Sequence, residues 1–214
     1  MSKIRLAIAD DHSLFRKGLA SLLVNYGDFE IVFDAENGKV LVDNLSEQSV
    51  DVVLIDLEMP VMRGEEAIEI IKTRFPTIKV LALTLHDDEV TITKVIGLGA
   101  NGFLVEDDSI EAVAEAANTV IEKDYYFTQR VVKAIEKMAE RAALKPKAFL
   151  IEFTKREIEI VELICHSYST KEIACKLNTS IRTVEWHKQN VIQRTDSKNT
   201  AGLVFYAAKN GLVN

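Results

Sequence analysis

Asp10 and Asp11 follow one short apolar run, Asp56 closes another and Thr84 closes a third. An aspartate after a strand is ordinary when it stands alone, because it turns the chain or caps a helix. Three carboxylates gathered at neighbouring strand ends repel one another unless a cation sits among them. Mg²⁺ suits such a place: it takes oxygen ligands, typically one or two carboxylates with phosphate oxygens and water. With the cation present, Asp56 has the makings of a nucleophile toward a phosphoryl group. The Thr84 hydroxyl is placed to bond one of the phosphoryl oxygens.

The elements that must position these groups are legible as two alternating patterns. Residues 4–9, 30–35, 52–55, 79–83 and 102–105 are short and rich in Ile, Val and Leu. They read as strands of a parallel sheet covered on both faces. Residues 13–25, 64–74, 88–98 and 110–122 carry helical spacing. Five β-α units imply an open α/β sheet. Right-handed crossovers then bring the strand C-termini, and with them the acids, to one edge.

Charge divides the chain. Residues 1–124 hold 11 Lys and Arg against 24 Asp and Glu, and residues 125–214 hold 15 against 9. An acidic front and a basic back imply different partners, with the back suited to a polyanion. Residues 128–143 read as a further helix and 144–150, with Pro146, as a linker. We expect boundaries at 1–124, 125–150 (a helical linker) and 151–214. No apolar run reaches the length of a membrane span and no signal peptide is visible, so the expected location is cytoplasmic. Cys165 and Cys175 then read as reduced thiols, and their spacing fits no standard zinc module.

The tail reads as four helices. Thr154 and Glu157 form a capping box, and Ser169-Thr170 caps a short helix. A turn over Leu177–Thr179 leads to a third helix over 181–195, and a fourth ends near Asn210-Gly211. A short helix, a tight turn and a longer polar helix make a helix-turn-helix. On the third helix Val184, Val191, Ile181 and Ile192 are expected to face the core. Glu185, Trp186, Lys188 and Gln189 are expected on the open side, where side chains read base edges in a major groove. Lys171, Arg182, Lys188 and Arg194 suit phosphates. Trp186 is either an exposed anchor or packed on a neighbouring helix. The fourth helix, with Leu203, Val204, Tyr206 and Ala207, is either a dimer face or packing for the third.

The segments IADDHSLFRKGL, DVVLIDLEMPVMRGEEAI, VLALTLHDDE and GANGFLVED resemble the receiver domains of two-component response regulators over residues 1–124. The resemblance implies a flavodoxin-like (βα)₅ fold with a parallel five-stranded sheet. It implies Asp56 as phosphoacceptor and Mg²⁺ held by Asp10, Asp11, Asp56 and the Glu58 carbonyl. It implies Thr84 and Phe103 as a switch pair, although Phe103 also reads as a plain core aromatic. Glu106 stands where that family carries a lysine; a carboxylate there repels a phosphoryl group, yet is able to reach the metal. The segments FTKREIEIVELICHSYSTKEIACKLNTSIRTVEWHKQNVIQRT and NTAGLVFYAAKNGLV resemble the LuxR-type helix-turn-helix. This implies Thr183, Val184, Glu185, His187 and Lys188 in or under a DNA interface.

The two halves together resemble response regulators of the NarL/FixJ class. That resemblance implies a non-enzymatic, DNA-binding transcription factor that partners a sensor histidine kinase, binds promoter half-sites as a homodimer and makes no use of a membrane. A phosphorylation-independent regulator is the alternative that Glu106 raises, and an adaptor that binds no DNA is the alternative from another class.

Overall fold

The computed structural model describes residues 3–143, 151, 153–166 and 168–212. The expected linker at 144–150 and the last residue of the closing NGLV lie outside them. The front half runs β1 (Ile4–Ala9), α1 (Ser13–Tyr26), β2 (Phe29–Ala35), α2 (Gly38–Leu45), β3 (Val52–Asp56), α3 (Gly64–Arg74), β4 (Lys79–Thr84), α4 (Glu89–Leu98), β5 (Gly102–Val105) and α5 (Ile110–Lys123). All strand pairs are parallel, in the order β2-β1-β3-β4-β5. The expected five-stranded flavodoxin-like sheet is present.

Side-chain alternation along each strand explains why the runs are almost wholly apolar. Leu6, Ile8, Val52, Leu54 and Leu104 pack on one side with Leu19 and Leu23 of α1 and Val113 and Val120 of α5. Ala7, Ala9, Val53, Ile55 and Phe103 point the other way, into a cluster with Leu41 of α2, Ile68 of α3 and Ile92 of α4. Successive strand residues therefore feed two cores. The helix α2 was not among the expected elements. It is short, begins at a glycine, and is capped by Asn37, whose Oδ1 accepts from the Val40 N–H at 3.0 Å.

Two glycines are required by geometry. A Cβ on Gly64 would sit 2.1 Å from the Asp56 carbonyl oxygen, so only glycine lets α3 start against the strand end that carries Asp56. Gly99 closes α4 at φ +106°, a left-handed backbone that side-chain-bearing residues avoid.

The back half contains α6 (Gln129–Ala143), α7 (Lys155–Cys165), α8 (Thr170–Lys176), α9 (Ile181–Arg194) and α10 (Thr200–Lys209). The expected Thr154–Glu157 capping box forms, and the Ser169 cap proves to be a second one, closed by Glu172. The helix α6, expected within a linker, is built into the core through Val131, Ala134 and Ile135, and packs on α4 and α10. Among the described residues no helix is long and apolar enough to cross a membrane.

Candidate functional site

The strand C-termini bring the acids to one mouth. Asp10 and Asp56 are 2% and 5% exposed, whereas Asp11 and His12 lie open to solvent. The Asp10 N–H donates to the Ala35 carbonyl at 3.1 Å and its Oδ1 accepts from the His12 N–H at 2.6 Å. Ligating atoms of Asp10, Asp11 and His12 lie within 4.8 Å of one another. Burial pushes the Asp10 carboxyl above the ordinary aspartate range, with Asp11 adding to the rise and the His12 N–H opposing it. Burial likewise raises Asp56. The Glu58 and Leu57 N–H groups oppose that rise, and the charges of Asp10 and Asp11 add to it. The three aspartates thus share one field.

Glu106 belongs to the same field. Its carboxyl is pushed up first by burial and then by Asp10 and Asp56. Its backbone N–H donates to the Thr84 carbonyl at 3.1 Å, which ties the end of β5 to the end of β4. Thr84 is buried and its Oγ1 accepts from the His86 N–H at 3.3 Å. The Glu58 side chain turns outward to His86 (3.5 Å) and Arg63 (4.0 Å), which leaves its main chain beside Asp56. Phe103 is fully buried among Ile92, Val95 and Ile96, so any switching role is exercised from inside the core. Buried acids that raise one another's protonation, with the carboxylates of Asp10 and Asp11 and the His12 ring gathered at an open mouth, fit a divalent cation.

The second surface is on α9. Arg182, Trp186 (61% exposed), Gln189 and Arg194 are exposed, and so is Lys171 on α8; Thr183 and His187 are half-buried. One expectation holds and one needs correction. Val184 is fully buried, as expected of a core-facing position, and so lies under the surface. Ile181, expected in the core, is 51% exposed because the first turn of α9 stands clear of its neighbours. Glu185 and Lys188 are paired at 2.9 Å, and Glu185 also accepts from Thr170 Oγ1 at 2.7 Å. The Lys188 side chain is only 12% exposed, so its charge is spent on fixing α9 against α8 more than on an open phosphate site. Arg194 donates to Glu157 at 2.7 Å and lies over the Phe153 ring.

A junction that the sequence did not disclose links the halves. Leu203, Val204 and Ala207 of α10 are buried, and α10 is covered by α4 and α6 as well as by α7 and α9. In this conformation it is therefore not an open dimer face. Phe205 lies against Gly97, and the Asn199 side chain donates to the Gly99 carbonyl at 2.5 Å. Asp124 accepts from the Thr200 N–H at 3.0 Å and from Thr200 Oγ1 at 2.5 Å, and also binds Lys79. Burial pushes Asp124 up, but Lys79 and Thr200 outweigh it and hold the carboxyl below its usual range. At the other end of α4, Asp87 meets Arg130 at 3.5 Å and Glu89 meets Lys137 and Arg141 of α6.

Residues 6–118 match the family described as response regulator receiver domain, and residues 152–207 match the bacterial regulatory proteins of the luxR family. The transcriptional regulatory protein DegU of Brevibacillus brevis is 32% identical, with 99% of this chain and 96% of that protein covered. The oxygen regulatory protein NreC of Staphylococcus carnosus is 34% identical over 99% of this chain and 100% of its own. Among solved structures, the response regulator ChrA of a heme-sensing two-component system is similar at 28% identity and TM-score 0.53, covering 99% of this chain and 100% of that one. RcsB of Salmonella typhimurium shares the fold at 23% identity and TM-score 0.59, with 96% of this chain and 100% of that one covered.

The crowded acids make a pH prediction. A carboxyl whose folded pKa is raised favours folding below its unfolded pKa, and that contribution is lost as pH rises through the folded pKa. At neutral pH in EDTA, Asp56→Asn should therefore stabilise the protein by on the order of 1 kcal/mol, about 2–4 °C in Tm for a chain of this size. Thermal unfolding of both proteins should show that gap closing as pH falls toward about 4, the ordinary aspartate range.

Proposed function

Because the chain belongs to the response regulators that join a receiver domain to a LuxR-type helix-turn-helix, we propose that phosphorylation of Asp56 controls a contact between its two halves and through it the binding of DNA. The family is one of DNA-binding transcriptional regulators and not of enzymes. We take 1–124 as the receiver, 125–150 as the helical connection and 151–214 as the DNA-binding domain.

The phosphoryl group comes from the phosphohistidine of a sensor histidine kinase or from a small phosphodonor, and the donor's P–N or P–O bond breaks, releasing the imidazole or donor oxygen, as an Asp56 oxygen bonds phosphorus. Asp10, Asp11, Asp56 and the Glu58 carbonyl would hold Mg²⁺, which supplies charge neutralisation at the phosphoryl oxygens. Asp56 provides the attacking carboxylate oxygen, and the Glu58 and Leu57 N–H groups orient it. The Thr84 hydroxyl turns to donate its O–H to a phosphoryl oxygen and gives up the bond it accepts from the His86 N–H, an exchange of partners. That exchange moves the loop carrying Asp87 and the start of α4, both bound to α6. Since α10 packs on the same α4 and α6, a shift there loosens Asn199 and Thr200 from Gly99 and Asp124. The freed α10 then meets a second copy. Two tail domains present Lys171, Arg182, Thr183, Trp186, His187, Gln189 and Arg194 to paired half-sites in duplex DNA, with Glu185 and Lys188 bracing α9. The observation that carries this reading is α10 clasped by the helix that follows Thr84.

Glu106 favours a second reading, in which DNA binding proceeds without phosphorylation. Its carboxyl stands in the field of Asp10 and Asp56, where it repels an incoming phosphoryl group. Intact mass after treatment with a small phosphodonor and Mg²⁺ separates the two. The expected result is one phosphoryl group on the wild type, none on Asp56→Asn, and higher occupancy on Glu106→Lys. No uptake by the wild type, together with unchanged DNA affinity of Asp56→Asn, would establish the second reading instead.

The clasp has its own test. Thr200→Val removes a hydrogen bond to a charged group, worth about 1.5–3 kcal/mol. If the clasp restrains DNA binding, the unphosphorylated variant should bind promoter DNA about tenfold more tightly or better in a titration at fixed salt. Equal affinity would show that the contact does not restrain the tail.

A further inference from the structure

Arg16 is a cation where the fold has little reason to bury one. It sits on the inner face of α1 and is 8% exposed, while its helix neighbours Lys17 and Gly18 face solvent. Its Nε donates to Asp34 Oδ2 at 2.5 Å and one terminal nitrogen donates to the main-chain carbonyl of Asp10, also at 2.5 Å. The second contact is the informative one. A guanidinium that only pinned α1 to β2 would be satisfied by Asp34; this one spans from the β2 carboxylate to the peptide at the root of the acidic loop.

With Arg16 included, every polar group of Asp10 is fixed. The N–H is held by Ala35, the carboxylate by the His12 N–H and the carbonyl by Arg16. The Arg16 N–H in turn donates to the His12 carbonyl at 3.0 Å. The peptide plane between Asp10 and Asp11 is thereby set, and with it the direction in which both carboxylates leave the backbone. The planar fork of arginine can serve a carboxylate and a carbonyl at once, whereas the lysine ammonium is a single point on a flexible stem. The positive charge also lies directly behind a loop of negative ones, where it offsets repulsion without occupying the mouth.

We propose that Arg16 is a positioning residue for the divalent-cation site: it never touches the ion, but sets Asp10 and Asp11 in the orientation that binds it. This rests on the reading of those acids as cation ligands. Groups that orient metal ligands from behind typically change affinity by about 10–100-fold when lost.

The test is calorimetric titration of Mg²⁺ alone into the full-length chain and its variants, paired with thermal unfolding in EDTA. Arg16→Met should weaken Mg²⁺ binding about 10–100-fold, and Arg16→Lys should recover only part of the loss. Asp34→Asn keeps the guanidinium but loosens its anchor, so it should weaken binding in the same direction. It also carries the test if Arg16→Met does not fold. A purely structural role would lower the unfolding temperature in EDTA while Mg²⁺ affinity stayed at the wild-type value in every folded variant, and that result would overturn the proposal. Failure of the wild type itself to bind Mg²⁺ would overturn the cation reading and this inference with it.

Discussion

Like charges held together out of water are the constraint on which the rest of this molecule turns. A parallel sheet sends every strand C-terminus to one edge, and four of those ends carry Asp10 with Asp11, Asp56, Thr84 and Glu106. Burial disfavours the ionised carboxylates of Asp10, Asp56 and Glu106, and neighbours of the same sign disfavour them further. The structure offsets this only in part, with main-chain N–H groups at Asp56, the His12 N–H at Asp10 and the Arg16 guanidinium behind the loop. What remains is a site that gains by taking up positive charge. Gly64 shows how tightly the backbone closes round it, since α3 begins in contact with the strand that ends in Asp56.

The same constraint explains how a local event could reach the other half of the chain. Thr84 ends β4, and the loop that follows is tied through Asp87 to α6 and leads into α4. The far end of α4 rests on α10 through Gly97 and Gly99. Asp124 closes the circuit: a half-buried carboxylate that answers Lys79 at the foot of β4 and Thr200 at the start of α10. Beneath it lies Lys72, whose buried amine, lowered to about 7 by burial, donates to Asn101 Oδ1 at 2.5 Å. A packed polar network of this kind has few intermediate arrangements, so it is suited to two states.

How much of this the sequence discloses depends on the range of the interaction. Strands are legible because burial on both faces writes a local apolar run, and the Thr154–Glu157 capping box because the pair lies three residues apart; Ser169 is legible as a cap, but its reciprocal bond with Glu172 comes from the structure. The acids were legible as residues placed after strands. The helix α2 escaped because it is eight residues long and opens on glycine. Helical phase on α9 was right for Val191 and wrong for Ile181, because periodicity does not show which turn of a helix leaves the core. Arg16 reads locally as one more basic residue on a helix face. Asp124 reads as the end of a helix. Its partner Thr200 lies 76 residues away, beyond any spacing rule. The buried face of α10 was foreseen as a contact surface, but not that α4 and α6 would cover it.

The account stands on a cation shared by the buried acids, and anomalous diffraction from crystals grown with Mn²⁺ looks at that directly. The ion should appear at the mouth of the sheet, within roughly 2.0–2.3 Å of oxygens from Asp56 and from Asp10 or Asp11, as a hard oxygen site requires. Ordered carboxylates with no anomalous peak between them at saturating Mn²⁺, or a peak bound elsewhere on the protein, would contradict it.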